Sequence, residues 1–291
     1  MKKLPLTFWF QFSDNELARR MMLCDMAANG AEHIVLSENM ISRIIRDPEW
    51  ADNMLKELEA FNMSFVDAHS PFGNSLDLNN PYPEDFAILA LRHRLHIKIA
   101  AYLNIDTITM HVGNNHFCPE IPLNVHIERM ERLLDAILPT AEQCKVIVAL
   151  ENCWTPTNTA DVLLQLKAKF PTDYLGFCYD SGHANIMDKG RYHGEGNATW
   201  YWRNAGMEIL PVWDDQILEK MLPHIVSCHL HDNTGMGDRH DLPGTGNLDW
   251  DKIVRLLKTA PRLRSIQSEV AYSRHGIAMK PLVEKFKTLF A

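Results

Sequence analysis

The sequence predicts a single-domain (β/α)8 barrel. Eight short apolar runs alternate with longer amphipathic stretches along the chain, and 291 residues suit one large α/β unit. No glycine-rich dinucleotide turn follows the first run, which sets aside a doubly wound open sheet. Strands are expected at 8–12, 33–37, 64–69, 107–112, 146–151, 175–180, 225–231 and 265–270. In the first helix Ser13 and Glu16 form a capping box ahead of Leu17, Met21 and Cys24, and Gly30 closes it. Asp47-Pro48 opens a second helix with Trp50, Leu55, Leu58 and Phe61 as its apolar stripe. After the seventh strand Asp249 caps a helix that buries Trp250, Ile253, Val254 and Leu257. The longest irregular stretch, about 186–213, holds Trp200, Tyr201 and Trp202, and reads as a lid or insertion.

Composition narrows the function classes. Apolar residues are 46% and charged residues 23%, ordinary for a globular core, and the formal charge of −8 argues against a broad nucleic-acid or anionic-membrane footprint. The six cysteines have no CxxC and no regular spacing, which reads as scattered reduced thiols. No signal peptide and no 18-residue apolar run is found, so a cytoplasmic location is expected.

Barrel active sites form where the C-terminal ends of the strands meet. Ligand-type side chains occupy six such ends: His69, His111, Glu151, Asp180, His229 and Glu269. Strand alternation gives a separate check. Stepping back from Glu151 reaches Ala149 and Ile147, from Asp180 Cys178 and Gly176, and from Glu269 Gln267 and Ser265. The bulkier opposite parity belongs against the helices, so the ligand-type residues point inward and converge. Converging carboxylates repel unless a cation is present, and mixed imidazole and carboxylate donors suit Zn²⁺, Mn²⁺ or Fe²⁺.

Two local motifs sharpen this reading. Asp180-Ser181-Gly182-His183 sets an imidazole just beyond a strand-end carboxylate. The segment His229-Leu230-His231-Asp232, Asp238-Arg239-His240 and Leu242-Pro243-Gly244-Thr245-Gly246-Asn247 is polar and glycine-rich. With Glu151-Asn152, these pieces resemble the xylose-isomerase-like barrel superfamily, which includes sugar-phosphate isomerases, tagatose/psicose-type 3-epimerases and endonuclease IV. The resemblance runs from about His69 to Glu269.

In the epimerase branch the resemblance implies one divalent metal on Glu151, Asp180, His229 and Glu269, with Mn²⁺ or Zn²⁺ expected. Glu151 and Glu269 then serve as the catalytic pair, one removing a carbon-bound proton and the other returning one while an enediolate is stabilised. His183 and Arg239 are implied as substrate-binding residues, with His69 and His111 beside them. In the endonuclease IV branch three zinc ions take nine ligands, the four above plus His69, His111, His183, Asp238 and His240. The expected number of metals is thus one to three.

The expected activity is a metal-dependent isomerase or epimerase of a small carbohydrate, the alternatives being zinc phosphodiester hydrolysis of abasic DNA and a metal-dependent dehydratase. Asp67 to Phe72 and Asn152-Cys153-Trp154 lack the loops a DNA-inserting nuclease needs, which disfavours a nucleic-acid partner. The Trp-rich stretch suits sugar stacking or the interface of a homo-oligomer. Arg92, His93, Arg94 and His96 read as a solvated helix face rather than a phosphate site. His231 and Asp232 are expected either to orient His229 or to bind substrate. Glu38, after the second strand, is within reach of the pocket by position alone.

Overall fold

The computed structural model describes residues 4–73, 75–188, 196–206 and 211–291. Its strands are β1 (Leu6–Phe8), β2 (His33–Leu36), β3 (Ser64–His69), β4 (Thr107–Met110), β5 (Ile147–Glu151), β6 (Leu175–Asp180), β7 (Ile225–Leu230) and β8 (Ile266–Ser268). They pair in parallel and in chain order, and β8 closes onto β1 through Leu6↔Ile266 and Phe8↔Ser268. The helices are α1 (Glu16–Ala28), α2 (Glu38–Arg46), α3 (Glu49–Ala60), α4 (Phe86–Tyr102), α5 (Leu123–Cys144) and α6 (Ala160–Lys169). After them come α7 (Ser181–Ile186), α8 (Asn197–Asn204), α9 (Ile217–Met221), α10 (Trp250–Leu257) and α11 (Met279–Leu289). Among the described residues no helix is long and apolar enough to cross a membrane.

The first strand lies nearer the N-terminus than the apolar run 8–12 suggests. That run is apolar because of what lies beyond the pairing: Phe10 is fully buried, Phe12 packs edge-on against Trp50 at 5.5 Å, and Trp9 lines a cavity. Strand parity holds as expected. Ile147, Ala149 and Cys178 join Val226 in a small interior cluster, whereas Val146, Val148, Leu150, Phe177 and Tyr179 belong to the large core between strands and helices. The interior is otherwise polar. Buried Asp67 accepts hydrogen bonds from Thr107 Oγ1 at 2.7 Å, from its neighbour Ala68 N at 2.9 Å and from Ser265 Oγ at 3.2 Å.

Two helix expectations are corrected. Asn15, not Ser13, caps α1 by accepting from Ala18 N, while Leu17, Met21 and Cys24 face solvent. The buried face is Arg19, Leu23 and Met26, because Arg19 Nε donates to Glu57 Oε2 of α3 at 2.7 Å. In α4, His93 and His96 are buried rather than solvated: His93 Nε2–H donates to the Leu76 carbonyl, and His96 Nδ1 meets Ser70 Oγ at 2.8 Å. In α10 the Asp249 side chain caps by accepting from Lys252 N, and Trp250, Ile253 and Leu257 are buried as expected, whereas Val254 is only half-buried.

Candidate metal centre and cavity

Each ligand-type residue expected at a strand end is found there. His69, Glu151 and Asp180 are the last residues of β3, β5 and β6, His111 and Glu269 directly follow β4 and β8, and His229 is the penultimate residue of β7. They converge. Glu151 Oε1 lies 2.9 Å from His229 Nδ1, and Glu151 Oε2 lies 3.0 Å from His111 Nε2 and 3.5 Å from His69 Nε2. His229 Nδ1 is also 3.5 Å from Glu269 Oε1.

Short-range chemistry explains how neighbouring strand ends stay in register. Asn152 joins β5 to β6: its Oδ1 accepts from Asp180 N at 2.8 Å, and its Nδ2 donates to the Asp180 carbonyl at 3.0 Å. Asp180 also caps α7 by accepting from His183 N, which lifts His183 over the site. His183 Nδ1–H then donates to the Asn152 carbonyl at 2.9 Å. Three histidines share this arrangement, for His69 Nδ1–H donates to Ser70 O and His240 Nδ1–H to Glu269 O. In all three the tautomer is set by a carbonyl and Nε2 is turned towards a carboxylate: Glu151 for His69, Asp238 for His183 and His240. Outer hydrogen bonds orient metal-binding imidazoles in the same way.

The 232–250 segment supplies the second half of the site. Asp238 Oδ2 lies 3.0 Å from His240 Nε2 and 3.6 Å from His183 Nε2, so these three come together. Arg239 does not join them. Its side chain is 58% exposed and pairs with Asp241 at 2.8 Å, in an irregular segment where His240 takes a left-handed backbone with φ of 54°. His231, expected either to orient His229 or to bind substrate, stands in the centre of the site. Fully buried, its Nε2 lies 3.1 Å from Asp180 Oδ2 and its ring stacks on His240 at 3.9 Å. The available signal was its spacing of two from His229. Asp232 does not orient His229; it accepts from Gly244 N, Trp250 Nε1 and Asn233 N and so ties the segment down.

Burial raises a carboxyl, yet Glu151 is held well below the usual range by surrounding His229, His111 and His69. Glu269 goes the other way: burial, then the charges of Glu151 and Asp180, push it well above that range. Against burial, His183 and His231 lower Asp180, and His183 and His240 lower Asp238. Burial disfavours charge on His183 too, but Asp180, Cys153 and Asp238 together outweigh it and hold that imidazole well above its ordinary value.

The donor set fits a divalent cation. His69, His111 and Glu151 bring ligand atoms within 4.8 Å of one another, and so do His69, His229 and Glu269, Asp180, His183 and His231, and His231, His240 and Glu269. Buried His229 Nε2, His231 Nδ1 and Asp238 Oδ1 have no hydrogen-bond partner.

Above the cluster lies a cavity of about 520 Å³. Trp9, Phe72, Phe117, Trp154 and Tyr201 form its aromatic walls, and Glu38 lines it as well. Within the stretch expected as a lid, α8 carries Tyr201 in that wall, while Trp202 is buried and donates from Nε1 to the Trp154 carbonyl at 2.9 Å. Trp200 is 54% exposed. Residues 189–195 and 207–210 of that stretch lie outside the described residues.

The profile of the xylose isomerase-like TIM barrel family matches residues 25–271. A curated relative, uncharacterized protein y4fM of Sinorhizobium fredii, is 25% identical over 200 residues, 63% of this chain; the chain spans 57% of that relative's length. Among solved structures, the apo form of 3-keto-D-glucoside 4-epimerase, YcjR, from E. coli superposes with a TM-score of 0.70 at 12% identity, covering 99% of each chain. The IOLI protein with a bound zinc atom superposes at 0.69 and 14% identity, covering 98% of this chain and 96% of that one.

Proposed function

The chain belongs to the xylose isomerase-like TIM barrel family, and from that premise we propose that it is a metal-dependent isomerase or epimerase of a small sugar or sugar derivative. The observation that carries the proposal is the pair Glu151 and Glu269. Coming from the ends of β5 and β8, both reach His229 Nδ1, at 2.9 and 3.5 Å. Two carboxyls that converge from separate strands can serve as acid and base at one substrate carbon.

In this reading one of Glu151 and Glu269 takes a proton from a substrate carbon next to a carbonyl, and the other returns one. Glu151, Asp180, His229 and Glu269 are the residues that would hold Mn²⁺ or Zn²⁺. When bound, the cation supplies positive charge that stabilises an oxyanion developing on the substrate. His183, with Nδ1 committed to the Asn152 carbonyl, presents Nε2 to a substrate oxygen, and His111, whose Nε2 meets Glu151 Oε2 at 3.0 Å, lines the more open side. Within the 186–213 stretch, α8 covers the cavity through Tyr201, keeping bulk water from the reacting carbon.

The test is turnover of a panel of ketoses and their phosphates by metal-loaded protein in D₂O, followed by NMR. Deuterium at the carbon next to the carbonyl, lost in Glu151→Gln, is the expected result. Conversion without deuterium would replace proton transfer by a hydride shift.

A second reading has its own observation. His69, His111, His183, Asp238 and His240 surround the same cavity, which a three-zinc phosphodiesterase acting on abasic DNA would use. Metal analysis of the purified protein separates the two: one equivalent supports the isomerase, three support hydrolysis.

A further inference from the structure

Outside the carboxylate–histidine cluster, two polar atoms in the cavity have no hydrogen-bond partner among the described residues. Trp154 is 9% exposed, and its indole Nε1–H is buried with no acceptor. The ring is held firmly: its carbonyl accepts from Trp202 Nε1, and it packs edge-on against His183 at 4.8 Å and Tyr201 at 5.6 Å. Glu38, the first residue of α2, accepts from Asn39 Nδ2 with Oε1, while its Oε2 is buried without a donor. Both residues line the cavity, one after β2 and the other after β5 of the eight-strand barrel. Neither belongs to the proposed metal or proton-transfer set. A buried donor and a buried acceptor left unmade both carry a desolvation penalty that a bound partner removes.

Charge restricts that partner. Glu38, Asp77, Glu151, Asp238 and Glu269 line the cavity, and among its described lining residues there is no arginine or lysine. Arg239, the nearest candidate in sequence, points away and pairs with Asp241. A phosphate ester here would meet carboxylates without the guanidinium or ammonium donors that normally bind it. A hydroxyl both donates and accepts, so neighbouring hydroxyls of one ring can serve Glu38 and Trp154, while the aromatic walls cover its apolar faces.

We propose that Trp154 and Glu38 are specificity-determining hydrogen-bond partners of the substrate, and that they select an uncharged polyhydroxylated sugar over its phosphorylated form. This rests on the reading of the cavity as a sugar site. Trp154 donates to one ring hydroxyl and Glu38 accepts from another, which fixes the ring over the carboxylate–histidine floor.

Binding tests it apart from catalysis. The metal-loaded full-length protein is titrated calorimetrically with D-fructose, D-tagatose, methyl glucosides and sucrose, and with the 6-phosphates of the two ketoses. Trp154→Phe and Glu38→Gln are measured alongside, with metal content and thermal melting as controls for folding. At least one neutral sugar should bind more tightly than any phosphate, and each variant should weaken it about tenfold at unchanged metal content. Tighter binding of a phosphate, no binding of any neutral sugar, or unchanged affinity in both variants would overturn the assignment. Discriminating binding without proton exchange would instead overturn the isomerase reading and leave the two partners standing.

Discussion

Gly182 lacks a side chain where His231 needs the room. A Cβ there would lie 1.9 Å from His231 Cε1 and 2.5 Å from Nδ1, so the motif Asp180-Ser181-Gly182-His183 admits its third residue only as glycine. Gly182→Ala should therefore drive His231 from beside Asp180, costing about 1–3 kcal/mol in urea unfolding and weakening metal binding. Unchanged stability and metal content would show that His231 can move freely. Glu151 faces His69, His111 and His229 at once, and Glu151→Gln should reduce metal affinity at least about 100-fold, read by competition with a chelating dye. Retention of stoichiometric metal in both Glu151→Gln and Glu269→Gln would reject their role as ligands. At this scale strand ends were legible because side-chain alternation is fixed by the backbone. Arg239 was misplaced because its orientation depends on a segment with no regular period. The pairing of Trp154 with Tyr201 and His183 was not visible either, since it brings together residues from two separate connections, those after β5 and β6.

The segment from Asp232 to Trp250 shows how an irregular element holds chemistry in place. Asp232 is fully buried and accepts from Gly244 N at 2.7 Å, Trp250 Nε1 at 2.8 Å and Asn233 N at 2.9 Å, while its backbone pairs with Asp241 in both directions. One carboxylate thus fixes both ends of the loop that carries Asp238 and His240. Asp232→Asn turns an N–H towards these donors and should cost about 2 kcal/mol. Amide hydrogen exchange across 233–248 should quicken while the helices of the outer ring keep their protection; exchange unchanged in the loop would contradict this role. Helices were less legible than strands for a related reason. The α1 stripe was assigned to Leu17, Met21 and Cys24, but a buried Arg19–Glu57 pair turns the helix so that those residues face solvent. Hydrophobic period alone cannot register such a polar anchor.

Across the whole molecule the barrel was readable, since all eight predicted strands pair in chain order and only the first is displaced. Its acid stability was not readable, because it depends on histidines whose burial the sequence did not show. Burial lowers His93 from the ordinary 6.5 to about 4 and His96 to about 3. Below pH 6.5 the unfolded chain binds protons that these two sites refuse, so their contribution is complete above that pH and is lost as pH falls towards 4. Each should remove about 2 kcal/mol between pH 7 and 5, and His96→Gln should flatten its share of that slope in urea titrations. A variant that keeps the full slope would exclude His96 as a source. The central claim is that this cavity exchanges a carbon-bound proton of a sugar by means of Glu151 and Glu269. The most direct measurement is deuterium incorporation from D₂O into neutral ketoses by the metal-loaded protein, followed by NMR. Deuterium is expected at the carbon beside the carbonyl, abolished in Glu151→Gln and in Glu269→Gln. No deuterium in any sugar, together with cleavage of abasic DNA that Glu151→Gln abolishes, would contradict it.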